Sequence, residues 1–145
     1  MLCPTTAQSP AALEILTIDG VEDFFNKGIK ILTALTVVEN YDLNKVITVP
    51  KDAVGVEGSS IYLREGEKLT VKELLYGLML RSGNDCAECL ALTCGNSKAE
   101  FIDLMNKTAR KYGAINSNFL IPIYYRKRIG LSKPILKILI FYKSE

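Results

Sequence analysis

The chain is predicted to adopt an α+β fold, dominated by a helical lobe from Phe24 to Tyr112, with short strands near Ala11–Ile18, Val46–Val49 and Ile61–Leu63. Three observations lead there. Thr70-Val71-Lys72-Glu73 and Ser97-Lys98-Ala99-Glu100 are capping boxes, in which hydroxyl and carboxylate each satisfy backbone N–H groups of a first helical turn. Apolar residues downstream of both recur at helical spacing. The β-prone run Lys45–Val49 is short and stopped by Pro50, which leaves any sheet subordinate to the helices.

Taken in order, residues from about Phe24 to Glu39 read as a helix, with Ile31, Leu32, Leu35 and Val38 as its apolar stripe and Asn40-Tyr41-Asp42 closing it. Gly55 to Leu63 reads as a loop leading into a short extended piece, and Arg64-Glu65-Gly66-Glu67 as a turn. The helix opened by Thr70 carries Leu74, Leu75, Leu78 and Met79 on one side and ends before Gly83. Asn84 or Asp85 is expected to cap the next helix, which stops at Gly95. The helix opened by Ser97 runs through Phe101, Ile102, Leu104, Met105 and Ala109 to a C-cap at Gly113.

At 145 residues the chain is at most one ordinary domain. Apolar residues make up 48% and charged ones 23%, which excludes compositional disorder. The net charge of +2 conceals an asymmetry, a balance of −6 over residues 1–106 followed by +8 over 107–145. With no histidine, His-based triads and His general bases are excluded, so acid/base chemistry falls to Lys, Tyr, Asp or Glu. No Lys or Arg precedes Lys27 and no long apolar run lies there, so a signal peptide is not expected and the chain as written reads as cytoplasmic. The run Ile135 to Tyr142 is too short to span a bilayer.

Cys86, Cys89 and Cys94 fall on one helix face beside Leu90, the pattern of buried structural thiols. A redox pair and a metal site are the alternatives. Three thiolates with no histidine make a poor zinc or iron–sulfur set, so neither metal nor cofactor is expected.

The candidate chemistry lies in Leu80-Arg81-Ser82-Gly83-Asn84-Asp85, a Ser-x-Asn triplet between two helices, and in Lys30-Ile31-Leu32-Thr33-Ala34-Leu35. Together with Ala53–Leu63, Leu74–Met79 and Phe101–Asn106, these stretches form a collinear match over residues 30–119 that resembles the serine-type D-alanyl-D-alanine carboxypeptidases, the low-molecular-weight penicillin-binding proteins. The resemblance implies a penicillin-binding-protein/β-lactamase-like fragment, mainly the helical lobe with a few short strands. In that family a Ser-x-x-Lys helix start, a Ser-x-Asn loop and a Lys-Thr-Gly strand meet in one cleft. Residues three apart on a helix share a face, which lets the lysine amine reach the serine hydroxyl.

Carried over by this resemblance, Lys30 is the motif lysine and Ser82 the relay serine, both catalytic, while Asn84 is the substrate-binding amide. The nucleophile does not carry over, because Lys27 occupies its place. The Lys-Thr-Gly strand finds no counterpart, since Ser132-Lys133-Pro134 ends in a proline that cannot donate to a ladder. The segment before Lys30 also reads as too short for the family's N-terminal hairpin. Read without the family, Lys30 is a solvated helix lysine, Ser82-Gly83-Asn84 an ordinary turn, and Tyr62 and Tyr76 packing residues.

The implied function is trimming of peptidoglycan stem peptides ending in D-Ala-D-Ala through an acyl-enzyme, at the cell envelope, with β-lactams as inhibitors. Loss of the nucleophile from such a unit costs on the order of 10⁶ in rate, about 8 kcal/mol of barrier, so this chain is expected not to turn over. Two alternatives stand beside this: a non-catalytic pseudoenzyme that binds peptide or β-lactam through Ser82 and Asn84, and a membrane-surface protein using its basic end. Residues 1–119 read as a partial catalytic domain and 120–145 as an atypical basic and apolar tail, out of frame or truncated, with a membrane-binding end or a nucleic-acid arm as the other readings of it.

Overall fold

The computed structural model describes residues 19–114, 118–119 and 122. Helix α1 spans Asp19–Asn40, five residues earlier at its start than the apolar pattern predicts. Its buried face is also not the expected one: Ile29, Lys30, Thr33, Thr36 and Val37 point inward, whereas Ile31 and Val38 are more than half exposed. Threonine can take the inward positions because its hydroxyl is satisfied within the helix. Thr33 Oγ1 lies 2.9 Å from Ile29 O, and Thr36 Oγ1 2.8 Å from Leu32 O.

A turn follows, with Asp42 Oδ1 accepting from Asn44 N at 2.9 Å, and leads into strand β1 (Val46–Thr48). After a 3-10 turn at Lys51–Ala53 the chain makes a long loop and returns as strand β2 (Lys68–Thr70). The two strands pair antiparallel with Ile47 opposite Leu69. Backbone bonds continue past both ends, Val49 N to Glu67 O at 2.8 Å and Lys72 N to Leu43 O at 2.9 Å. The expected strand at Ile61–Leu63 does not form. The N–H groups of Ile61 and Leu63 are taken by the Asp85 carboxylate, which removes them from any ladder. The expected strand at Ala11–Ile18 and the tail from 123 onward lie outside the described residues.

Helix α2 (Val71–Arg81) opens on the full capping box, Thr70 Oγ1 accepting from Glu73 N while Glu73 Oε2 accepts from Thr70 N at 2.7 Å. It buries Val71, Leu74, Leu75 and Leu78, but Met79 is half-exposed. Helix α3 (Asn84–Thr93) is the centre of the domain, buried all round from Asn84 to Ala91 and packed on α1, α2 and the last helix. Its N-cap is Gly83, and neither Asn84 nor Asp85 caps it. Its approach to α2 depends on Gly77, where a Cβ would stand 2.6 Å from Cys86 Sγ.

Helix α4 (Lys98–Lys111) is capped by the Ser97 hydroxyl, which accepts from Glu100 N. The carboxylate half of that capping box reaches back one residue further than expected, to Asn96 N at 3.2 Å. Phe101, Met105 and Ala109 form its buried stripe, and Gly113 follows its C-cap with a left-handed φ of +91°. Asn106 clamps Phe119 in both directions, Phe119 N donating to Oδ1 at 2.7 Å and Nδ2 donating to Phe119 O at 2.9 Å. Beyond it, the carbonyl of Pro122 lies 3.1 Å from Thr33 Oγ1, so the chain after α4 comes back onto α1.

Candidate active site

The connection from α2 to α3 is two residues long and places both polar members of the Ser-x-Asn triplet. Ser82 is the C-cap of α2 in left-handed geometry, φ 56° and ψ 31°, a conformation that costs a non-glycine residue about 1 kcal/mol. Gly83 N donates to Gly77 O at 3.1 Å, closing the end of α2. Asn84 is then the first residue of α3.

Lys30 crosses to this turn from α1. It is 2% exposed, and its amine donates to the backbone carbonyl of Ser82. A cation at the C-terminal end of α2 also meets the negative end of that helix dipole. Lys30 is therefore not the solvated lysine that its charge alone suggests. Lys27, one turn earlier on α1, is exposed.

Asn84 is 4% exposed. Its backbone N donates to Ser59 O at 2.7 Å, and its side-chain Nδ2 donates to Glu57 O at 2.7 Å. The carbonyl acceptor fixes which end of the amide is nitrogen. Oδ1 is then a buried acceptor with no hydrogen-bond partner among the described residues. Gly58 makes this approach possible: its φ is +96°, and a Cβ there would fall 2.5 Å from Asn84 Nδ2.

Residues 29–130 match the model of a family described as D-alanyl-D-alanine carboxypeptidase. This chain belongs to that family. The matched stretch takes in Lys30, Ser82 and Asn84 and begins two residues after Lys27. Among curated relatives, D-alanyl-D-alanine carboxypeptidase DacF of Bacillus subtilis (strain 168) is 37% identical over 98 residues, covering 64% of this chain and 25% of the relative. The D-alanyl-D-alanine carboxypeptidase of Streptomyces sp. (strain K15) is 37% identical over 102 residues, 62% of this chain and 35% of the relative. Among solved structures, the D-alanyl-D-alanine carboxypeptidase of Mycobacterium tuberculosis H37Rv superposes with a TM-score of 0.64 at 30% identity, over 68% of this chain and 37% of that one. This chain thus spans between about a quarter and somewhat over a third of these relatives.

Within the carboxypeptidase lobe, the residue that sequence reasoning missed is Asp85. Its carboxylate, 1% exposed, accepts from Ser60 Oγ at 2.6 Å, Ile61 N and Leu63 N at 3.1 Å each, and Cys86 N at 3.0 Å. The available signal was an acid at the second position of a helix rich in Cys, Ala and Leu, a place that a buried acid occupies only when hydrogen-bonded. Tyr62, expected to pack, is instead 86% exposed with φ 62°, and Tyr76 is also exposed, with Lys72 Nζ 5.9 Å from its ring centre.

The cysteines match the structural reading, all three being buried free thiols. Burial pushes the Cys89 thiol up to about 12 and that of Cys94 up to about 11, and Cys86 is raised further still, first by burial and then by Asp85. Thiols so raised are poor nucleophiles and poor ligands. Among the described residues no group of acidic or cysteine side chains is placed to hold a metal. Nor is any described helix long and apolar enough to cross a membrane.

Proposed function

We propose that this chain keeps the peptide-holding side of a D-Ala-D-Ala carboxypeptidase site and has lost the acylating side. One observation carries the reading: Lys27 stands on α1 three residues before Lys30, about 4.5 Å along the axis, which by the family resemblance is the place of the attacking serine. A lysine offers no hydroxyl oxygen, so the ester-linked acyl-enzyme cannot form there. Lys30 then has no serine proton to accept, and its amine serves the Ser82 carbonyl instead.

What the site retains is recognition. The buried, unpartnered Oδ1 of Asn84 favours a ligand that brings an N–H to it, as a peptide does. The ligand class is a stem peptide ending in D-Ala-D-Ala, or a β-lactam held without a covalent bond, encountered at the cell envelope where the family works. Calorimetric titration of the chain with a D-Ala-D-Ala peptide tests this. Binding that disappears in Asn84→Ala, without release of free D-alanine, is the expected result. Release of D-alanine, or the absence of binding, contradicts it.

A further inference from the structure

We propose that Asp85 is a positioning residue for this site, holding the loop 57–63 in the shape that aims the Asn84 amide. The argument begins with the loop, which forms no ladder of its own and is fastened to α3 at two successive residues. Asn84 takes Ser59 O through its backbone N–H and Glu57 O through its side chain, each at 2.7 Å. Asp85 takes the other half of the same loop: the Ser60 hydroxyl and the N–H groups of Ile61 and Leu63. Ser60 Oγ in turn accepts from Tyr62 N at 2.9 Å, so every N–H from 61 to 63 ends, directly or through one hydroxyl, on Asp85.

An ionised carboxylate has about four acceptor positions, and Asp85 meets four donors, counting Cys86 N. Only an acceptor-only group satisfies that set. An isosteric asparagine would turn an NH₂ toward N–H groups and leave donors facing donors in a buried place. With Asp85's hold released, only the bond from Asn84 N to Ser59 O still fastens the loop near Glu57, and the Asn84 side chain gains freedom to turn. Its Oδ1, the acceptor on which the proposed peptide binding rests, then loses its direction. The left-handed backbone of Tyr62 follows from the same bonds, because the residues on both sides of it are drawn to one carboxylate.

Side-chain amide exchange by NMR tests this on the full chain, with a control inside the molecule. Asn106 also has a buried side-chain amide, bonded to Ile102 O and Phe119 O, both outside the loop, and it reports whether the fold is intact. In Ser60→Ala, which removes one of the four donors, the Asn84 amide protons are expected to exchange roughly tenfold faster, as the loss of about one hydrogen bond implies, with those of Asn106 unchanged. Asp85→Asn is expected to give a larger effect of the same kind. If Asn84 exchange rises no more than that of Asn106, Asp85 is only part of the core and the proposal is overturned. Should Asp85→Asn fail to fold, Ser60→Ala decides alone. Affinity for a D-Ala-D-Ala peptide should fall with the exchange protection, about tenfold in Ser60→Ala. An affinity left unchanged overturns the proposal. A native chain that binds no peptide removes the binding function, while the exchange rates still decide whether Asp85 aims Asn84.

Discussion

The amine of Lys30 donates to the backbone carbonyl of Ser82, tying the middle of α1 to the end of α2 across 52 residues of sequence. The contact joins the two residues that the Ser-x-x-Lys and Ser-x-Asn patterns single out, and it runs through main chain at the serine. The bond gives the Lys30 amine a structural task, which explains why its burial is tolerated.

Replacing Lys30 by methionine keeps the apolar stem and removes the charged hydrogen bond. The Ser82 carbonyl is then left without this donor, and the chain should lose about 2 kcal/mol of stability. Urea unfolding of both proteins measures it; a variant as stable as the native chain would mean that the bond contributes nothing.

Tyr62 has a left-handed backbone and a ring almost wholly in solvent. Glycine adopts that conformation without penalty, so Tyr62→Gly should stabilise the chain by up to about 1 kcal/mol. Gly58→Ala is the opposite case, since positive φ and the collision with Asn84 Nδ2 act together, and it should cost more than about 1 kcal/mol. Thermal melts that rank the two variants the other way refute this account of the loop.

The buried thiols make stability fall at alkaline pH. In the folded chain Cys89 and Cys94 stay protonated until about 12 and about 11, whereas in the unfolded chain they ionise near their ordinary value of 9.0. Between roughly pH 9 and 11 the folded state binds more protons than the unfolded one, so stability is full below pH 9 and declines by about 1.4 kcal/mol per pH unit for each thiol above it. Replacing Cys89 and Cys94 by alanine should flatten the curve; an unchanged slope in that double variant contradicts the assignment.

The helices were legible because their starts are local chemistry. Thr70 with Glu73, and Ser97 with Glu100, declare first turns whatever the tertiary structure does. The burial of α1 was not legible, because Thr33 and Thr36 look polar until their hydroxyls are paired with their own helix. Ile61–Leu63 read as a strand from its β-prone side chains, yet its N–H groups go to Asp85, a partner 22 to 24 residues away in sequence. Lys30, Ser82 and Asn84 stood out by pattern, and the structure brings them to one turn. Around them, Glu57 acts through a backbone carbonyl that carries no residue-specific signature, and the partners of the Asp85 carboxylate are mostly backbone N–H groups, which no sequence pattern names.

Incubation with a fluorescent penicillin, followed by a denaturing gel, tests the central claim most directly. Penicillin binding protein 6B from Escherichia coli serves as the comparison lane. If, as proposed, Lys27 stands where the attacking serine would, no band is expected from this chain. A labelled band that survives denaturation would mean that another residue forms the acyl bond and that the site is not disabled.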